Sequence, residues 1–409
     1  MLLYVLCGSL ALYPLVTSFL APVIATAYFF AALGVVARML RNGFGVPRTY
    51  LGWVWASYAF VYGIWYAVAL VHGNNVTYIN QDALGFLLYF GVLPILFLYI
   101  KFRRLESAFV QFVVDCCTLI ATMSVVVVAG YYVVFGDINA DSMLLINAYL
   151  ASIGLTWQID HNAGVFGVYT NAGHLLLIGI AVVLYRYSVA GRKGDLALFT
   201  LYLVGIVLDG HRALVIAAVM QLLILVPRLL GRTSASKKIV LMTALVLVPT
   251  IAALVGLDWI EARFAFTTDD PSTAERYAQI PALLDKIMEN PLIGSGFGSV
   301  ASYIRSIERP FSYEVDFLAT AMKLGVLGSL IYFGTYLAAL AYGYRSSGQA
   351  GLFLLSAGLS FFFYMGTNGN QAMSSDSSVF HIFIFLLIAF AANSAKRHRV
   401  SIGALPTAQ

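Results

Sequence analysis

Apolar residues run through this chain in long blocks, separated by short polar intervals. The blocks suit helices long enough to cross a hydrocarbon core of roughly 30 Å. Read this way they predict spans over about 50–71, 84–100, 108–135, 171–189, 196–209, 213–230, 239–256, 317–343, 351–366 and 378–395. Residues 1–37 are apolar almost throughout, and as one helix they would run roughly 55 Å. That exceeds the core thickness, so two spans turning near Pro14 to Pro22 fit better. The expectation is an all-α polytopic membrane protein of about 12 transmembrane helices. Residues 1–409 form a single membrane domain, without an internal repeat, a low-complexity tract or a soluble domain. The N-terminus lacks a basic leader and an obvious small-residue cleavage site, so it reads as a retained first span.

One interval breaks the pattern. Between the ninth and tenth spans, residues 257–316 form the longest polar stretch. Ser272 and Glu275 have the spacing of a capping box. Tyr277, Ile280, Leu284 and Ile287 follow as an apolar stripe at helical spacing, with Arg276, Gln279, Lys286 and Glu289 off it. Asn290-Pro291 ends this amphipathic helix, and Gly294, Gly296 and Gly298 predict a tight turn. The chain then re-enters the membrane past two carboxylates, Glu314 and Asp316.

Composition agrees with the pattern: 61% hydrophobic and 11% charged residues exclude a soluble globular domain. Placing the charges orients the chain. With both termini inside, most of the 24 basic residues fall in inner loops, while of the acidic residues only Glu106, Asp115 and Asp195 lie there or in an inner half-span. Residues 72–83, 136–170, 257–316 and 367–377 are then outer loops. The formal charge of +5 thus expresses sidedness, and no nucleic-acid partner is expected. Cys7, Cys116 and Cys117 lie in apolar blocks and read as small packing residues, not as a disulfide framework or a metal site.

The outer loops hold the candidate chemistry. Arg263, Arg276, Lys286, Arg305 and Arg309 run against the positive-inside bias; either a long loop escapes the rule and solvates them, or they meet an anion. Arg276 sits in the first turn of a helix, where free amides already favour an anion. Asp209-Gly-His-Arg212 joins two spans. It can be read as an Asp209–Arg212 pair closing a hairpin, or as an anion site using the arginine fork. Glu314 and Asp316 are either an ordinary acidic flank or a general base; on a helix they would point about 200° apart. His161, with Asp160 before it and His174 beyond, lacks recognised metal-ligand spacing and reads as substrate contact or plain loop structure. Trp157, Tyr169 and their aromatic neighbours could stack on sugar rings, but could equally form an interfacial belt. The run Gly-Ser-Gly-Phe-Gly-Ser has no following Lys-Ser/Thr and reads as a turn, not as a nucleotide loop.

From Arg276 to Ser299, the run R-Y-A-x4-L-L-x6-N-P-L-I-G-S-G-F-G-S resembles the signature of the O-antigen ligase and polymerase superfamily. Phe317-Leu318 and Gly325-Val-Leu-Gly328 are similar to its following span. Leu208 to Leu214 resembles its Ser-Arg entry to an earlier span, with His211 where serine is common. The resemblance covers about a third of the chain. It implies a GT-C-like glycosyltransferase that needs no metal or other cofactor. The donor would be an undecaprenyl-diphosphate-linked glycan at the outer face of the bacterial inner membrane. Arg212 and Arg276 would hold the diphosphate, with Arg305 assisting, His211 and His161 near substrate, and Glu314 or Asp316 taking the acceptor's proton. Ligases of the superfamily usually carry His-Asn before the aromatic-Leu pair; here Glu314 and Val315 stand there, which favours a Wzy-type polymerase. A flippase and a chain-length regulator would be its partners. The alternatives are a ligase using lipid A core as acceptor, or a transporter of twelve spans. Transporters of that kind commonly place a long loop inside, at the middle of the chain.

Overall fold

The computed structural model describes residues 50–135, 140–152, 158–162, 165–170, 172–232, 271–307, 309–367 and 375–403. The expected spans within 1–37 and at 239–256 lie outside these residues. The described helices are α1 (Tyr50–Val71), α2 (Val76–Arg103), α3 (Glu106–Phe135), α4 (Ala140–Ser152), α5 (Leu175–Ala190) and α6 (Lys193–Leu208). They continue with α7 (Arg212–Arg232), α8 (Pro271–Glu289), α9 (Asp316–Ser346), α10 (Gln349–Thr367) and α11 (Ser375–Gly403). Among the described residues, six helices are long and apolar enough to cross a membrane: α1, α3, α7, α9, α10 and α11. The chain is a polytopic membrane protein. The expected spans at 84–100, 171–189 and 196–209 are present as α2, α5 and α6 but are not among the six. The 16 residues of α5 or α6 reach only about 24 Å.

The expectation of an all-α chain needs one correction. Within residues 136–170 lie helix α4 and an antiparallel hairpin of β1 (Gln158–Asn162) and β2 (Val165–Tyr169), with His161 opposite Phe166. Strands this short pair through backbone and leave little periodic signal to read.

Helix α11 runs through the middle of the bundle, packed against α1, α2, α3, α5, α9 and α10. Residues Val379 to Phe390 are buried without interruption, the one polar residue among them, His381, included. Aromatic rings fill the space around it: Phe380 stacks on Phe361 at 3.7 Å, and Tyr58, Phe86 and Tyr332 meet edge to face nearby. Where α3 meets α5 and α6, small residues let the backbones close in. Cys117 donates from Sγ to the Leu175 carbonyl at 3.3 Å, and both Cys116 and Cys117 are buried and free of disulfides.

The outer segment is bound to this bundle through a break in α9. Gly325 has φ 62° and ψ −175°, which interrupts the helix and exposes its carbonyls and amides. The turn after α8 fills the gap. Ser295 N–H donates to Met322 O at 2.9 Å and Gly296 N–H to Lys323 O at 2.8 Å. In return, Val326 N–H donates to Pro291 O at 2.9 Å and Leu327 N–H to Leu292 O at 3.1 Å. Asn74 holds the turn from the other side, its amide donating to Ser295 O at 2.8 Å and Phe297 O at 3.0 Å, and Trp65 Nε1 donates to Ile293 O at 2.6 Å. Gly298, at φ 70°, lies so close to α2 that a Cβ would stand 2.6 Å from Ile79 N.

Beneath the turn is a buried ion pair. Lys323 Nζ donates to Asp82 Oδ1 at 2.7 Å, and Asp82 Oδ2 accepts the Gly298 N–H at 2.8 Å, with both charged residues only 1% exposed. Removing one partner of such a pair strands the other charge. Lys323→Met is expected to destabilise the protein by about 3–5 kcal/mol, and adding Asp82→Leu to recover part of that loss. Thermal unfolding in detergent measures both; a single variant that melts like the wild type rules out the role.

Candidate functional site

Helix α8 lies against the first half of α9 and buries Thr273, Gln279, Ala282 and Leu283. Ala282 and Leu283 pack with Ala301, Tyr313, Ala319 and Met322 in a small core separate from that of the bundle. Two expectations change here. The helix begins at Pro271, a residue suited to a first turn, so Ser272 lies inside it and does not cap it. The expected apolar stripe is not the buried face: Tyr277 is 59% and Leu284 45% exposed, and Met288 is exposed with them. In a protein bathed in lipid, exposure of apolar side chains carries no penalty, so the packed face is chosen by the small and polar residues that fit α9.

The helix brings three predicted site residues together. Arg276 Nε stands 3.0 Å from Glu314 Oε2, and Arg305 Nη2 stands 2.6 Å from Glu314 Oε1. The Arg276 contact is an ion pair without a hydrogen bond, Arg276 Nε and Glu314 Oε2 both lacking a hydrogen-bond partner among the described residues. Glu275, one turn into α8, also faces Arg305, at 3.4 Å. Gln279 Oε1 accepts the Glu314 N–H at 2.7 Å, and the Gln279 amide nitrogen is buried without a hydrogen-bond partner among the described residues. The arginines are about a third exposed and the carboxylate between them is nearly buried, so two guanidinium groups converge on one anion at a wall open to solvent. Tyr313 anchors the same loop, its hydroxyl accepting the Ala301 N–H at 2.6 Å. Burial pushes the Tyr313 phenol above its ordinary range, against the opposing effect of that bond, so it stays protonated.

Glu314 precedes α9, and Asp316 is the helix's first residue, so the two carboxylates are not successive positions on one helix as expected. Asp316 is 1% exposed. In the first turn it also meets the favourable end of the helix dipole.

A second group surrounds Arg212, the first residue of α7. The Asp209 carboxylate is bound by Thr170 Oγ1, which donates to Oδ2 at 2.7 Å, and by His211 Nδ1 at Oδ1. It therefore serves Thr170 and His211, where the sequence had suggested a hairpin pair with Arg212. His211 meets Tyr364 edge to face at 6.4 Å, near the end of α10. His174 is buried among Phe361, Tyr364 and Phe380 at the same level. Phe317, at the start of α9, packs on Phe362 of α10 at 5.1 Å. The Arg212 group and the Arg276 group therefore share one end of the bundle, on either side of α10, without being parts of a single cluster. His161 lies in β1, paired with Phe166 of β2.

Residues 197–333 match the family model described as O-antigen ligase. This segment, about a third of the chain, is thus similar to O-antigen ligases. The match runs from α6 to the middle of α9, and so takes in Asp209, His211 and Arg212, the two arginines with Glu314, and the glycine turn, while Thr170 and Tyr364 lie outside it. No curated protein matches the chain. The match supports a membrane enzyme of the O-antigen ligase or polymerase type and gives no support to a transporter.

Sequence reading missed Asp82 and Lys323, which hold the site's base. The signal was there: an ionisable residue in a transmembrane block is costly and calls for a partner. It also missed Gln279, which reads as one more polar residue on a solvated face. If Arg305 and Glu314 form the pair described, Arg305→Ala and Glu314→Gln are coupled in a double-mutant cycle by about 1 kcal/mol. Denaturation of the detergent-solubilised protein measures this, and strictly additive effects would dismiss the pair.

Proposed function

We propose that this protein polymerises undecaprenyl-diphosphate-linked oligosaccharide units of an O-antigen, capsule or exopolysaccharide. The reading is of a GT-C-like enzyme of twelve spans, both termini inside, working at the outer face of the inner membrane. A flippase and a chain-length regulator act beside it.

The observation that carries this reading is the convergence of Arg276 and Arg305 on Glu314 within the matched segment. A diphosphate leaving group gains charge as the anomeric bond breaks. Guanidinium groups already in place stabilise that developing charge more than the ground state. Glu314 keeps the two arginines apart and aligned while the site is empty of substrate, and the diphosphate oxygens take over when the donor arrives. The Gln279 amide nitrogen, without a hydrogen-bond partner among the described residues, supplies a further donor beside them. Arg212, at the N-terminus of α7, supplies positive charge from the same end of the bundle. Replacement of the superfamily's His-Asn by Glu314 and Val315 supports polymerase over ligase. A donor in the membrane needs lateral entry, which suits a site at the end of a bundle beside an amphipathic helix whose exposed face is apolar.

A deletion strain is expected to cap its acceptor with one unit and lose the ladder of longer chains. Loss of the single-unit band as well, with precursor synthesis intact, would indicate a ligase. Arg276→Lys keeps the charge but not the fork, and is expected to lower elongation about tenfold or more. Normal polymer length from a well-expressed Arg276→Lys variant would remove that residue from the diphosphate site.

A further inference from the structure

The structure carries, apart from the arginines, one arrangement with the form of an acid–base device. His211 stands just before Arg212, and its Nδ1 is bonded to Asp209 Oδ1. Asp209 is itself immobilised: Thr170 donates to its other oxygen, and its carboxylate packs directly against Gly173, where any side chain would displace it. The carboxylate is 2% exposed and the imidazole 19%. A buried carboxylate that accepts from Nδ1–H sets the tautomer of a neutral ring, making Nε2 the proton acceptor. Gly210, at φ 77°, permits the sharp passage between α6 and α7 that lets a side chain reach back two residues. A hairpin needs the glycine, but it has no use for an imidazole oriented by a carboxylate that a threonine orients in turn.

Resting on the glycosyl transfer proposed above, we infer that His211 is the general base of the reaction and Asp209 its positioning residue. Glu314 already holds a guanidinium group at each oxygen, so it serves the leaving group. In the step, the acceptor hydroxyl oxygen forms its bond to the anomeric carbon and gives its proton to His211 Nε2. The bond between the anomeric carbon and the phosphate oxygen breaks, and its electron pair stays on the undecaprenyl diphosphate, neutralised by the arginines. The imidazolium, adjoining Asp209, returns its proton to water before the next transfer. Imidazole suits this cycle because it takes up and releases a proton near neutral pH.

The experiment uses the full-length protein in detergent with an undecaprenyl-diphosphate-linked glycan, and reads the rate of elongation on a gel. His211→Ala is expected to lose activity about a hundredfold or more with little change in the donor concentration at half-maximal rate. Imidazole added to the buffer restores part of it. Asp209→Asn is expected to lose a similar factor without such restoration, because the ring remains but its tautomer is no longer set. Thermal unfolding of each variant checks that the fold is kept, and His211→Gln serves if the alanine variant melts early. A His211 variant within about twofold of the wild type, or a loss that imidazole does not touch, overturns the assignment. So does a fully active Asp209→Asn variant. A wild-type protein that does not elongate the glycan defeats the polymerase reading beneath the proposal, an outcome distinct from an inactive variant beside an active wild type.

Discussion

The structure depends on a helix that is broken and then repaired by another part of the chain. An α-helix in lipid must satisfy its own backbone groups, since neither water nor the acyl chains will do so. At Gly325 α9 gives up that self-sufficiency, and the Pro291 to Gly296 turn supplies the missing donors and acceptors in four reciprocal bonds. Neither segment is satisfied alone. The outer polar segment and the transmembrane bundle are therefore a single folding unit, and the arginine-bearing helix has a defined place.

The Asp82–Lys323 pair strengthens the same joint at a point where charge is most expensive. Its two members come from α2 and α9, and its third contact is the Gly298 amide of the turn. Three segments far apart in sequence thus meet at one buried carboxylate. Geometry this specific suits a site that must keep two guanidinium groups a few ångströms apart, because a small displacement of preorganised groups costs far more in rate than in stability.

Charge at this end of the bundle is distributed between two helices' starting points. Around Glu314 the groups are cations about an anion; around Asp209 they are a hydroxyl and an imidazole about an anion. The first arrangement suits a ligand with negative charge, and the second suits a proton. Both stand beside helices whose other ends face the opposite side of the bundle, among Arg186, Arg228 and Arg345.

Much was legible in the sequence because the lipid environment writes it there. Length and apolarity marked every described membrane helix to within several residues, Asn290-Pro291 marked the end of α8, and the glycines marked the turn. Arg276, Arg305 and Glu314 stood out because polar groups are rare in such a chain. Partnership was not legible. Whether Asp209 would serve Arg212 or His211, which face of α8 would be covered, and that Lys323 would find Asp82 241 positions away all follow from how the helices pack. The physical reason is that a hydrophobic pattern specifies exposure to lipid, whereas a buried charge or a turn amide is satisfied by whichever partner the fold brings within about 3 Å. Sequence alone determined which residues had to avoid water and which needed company; only the tertiary structure decided whose.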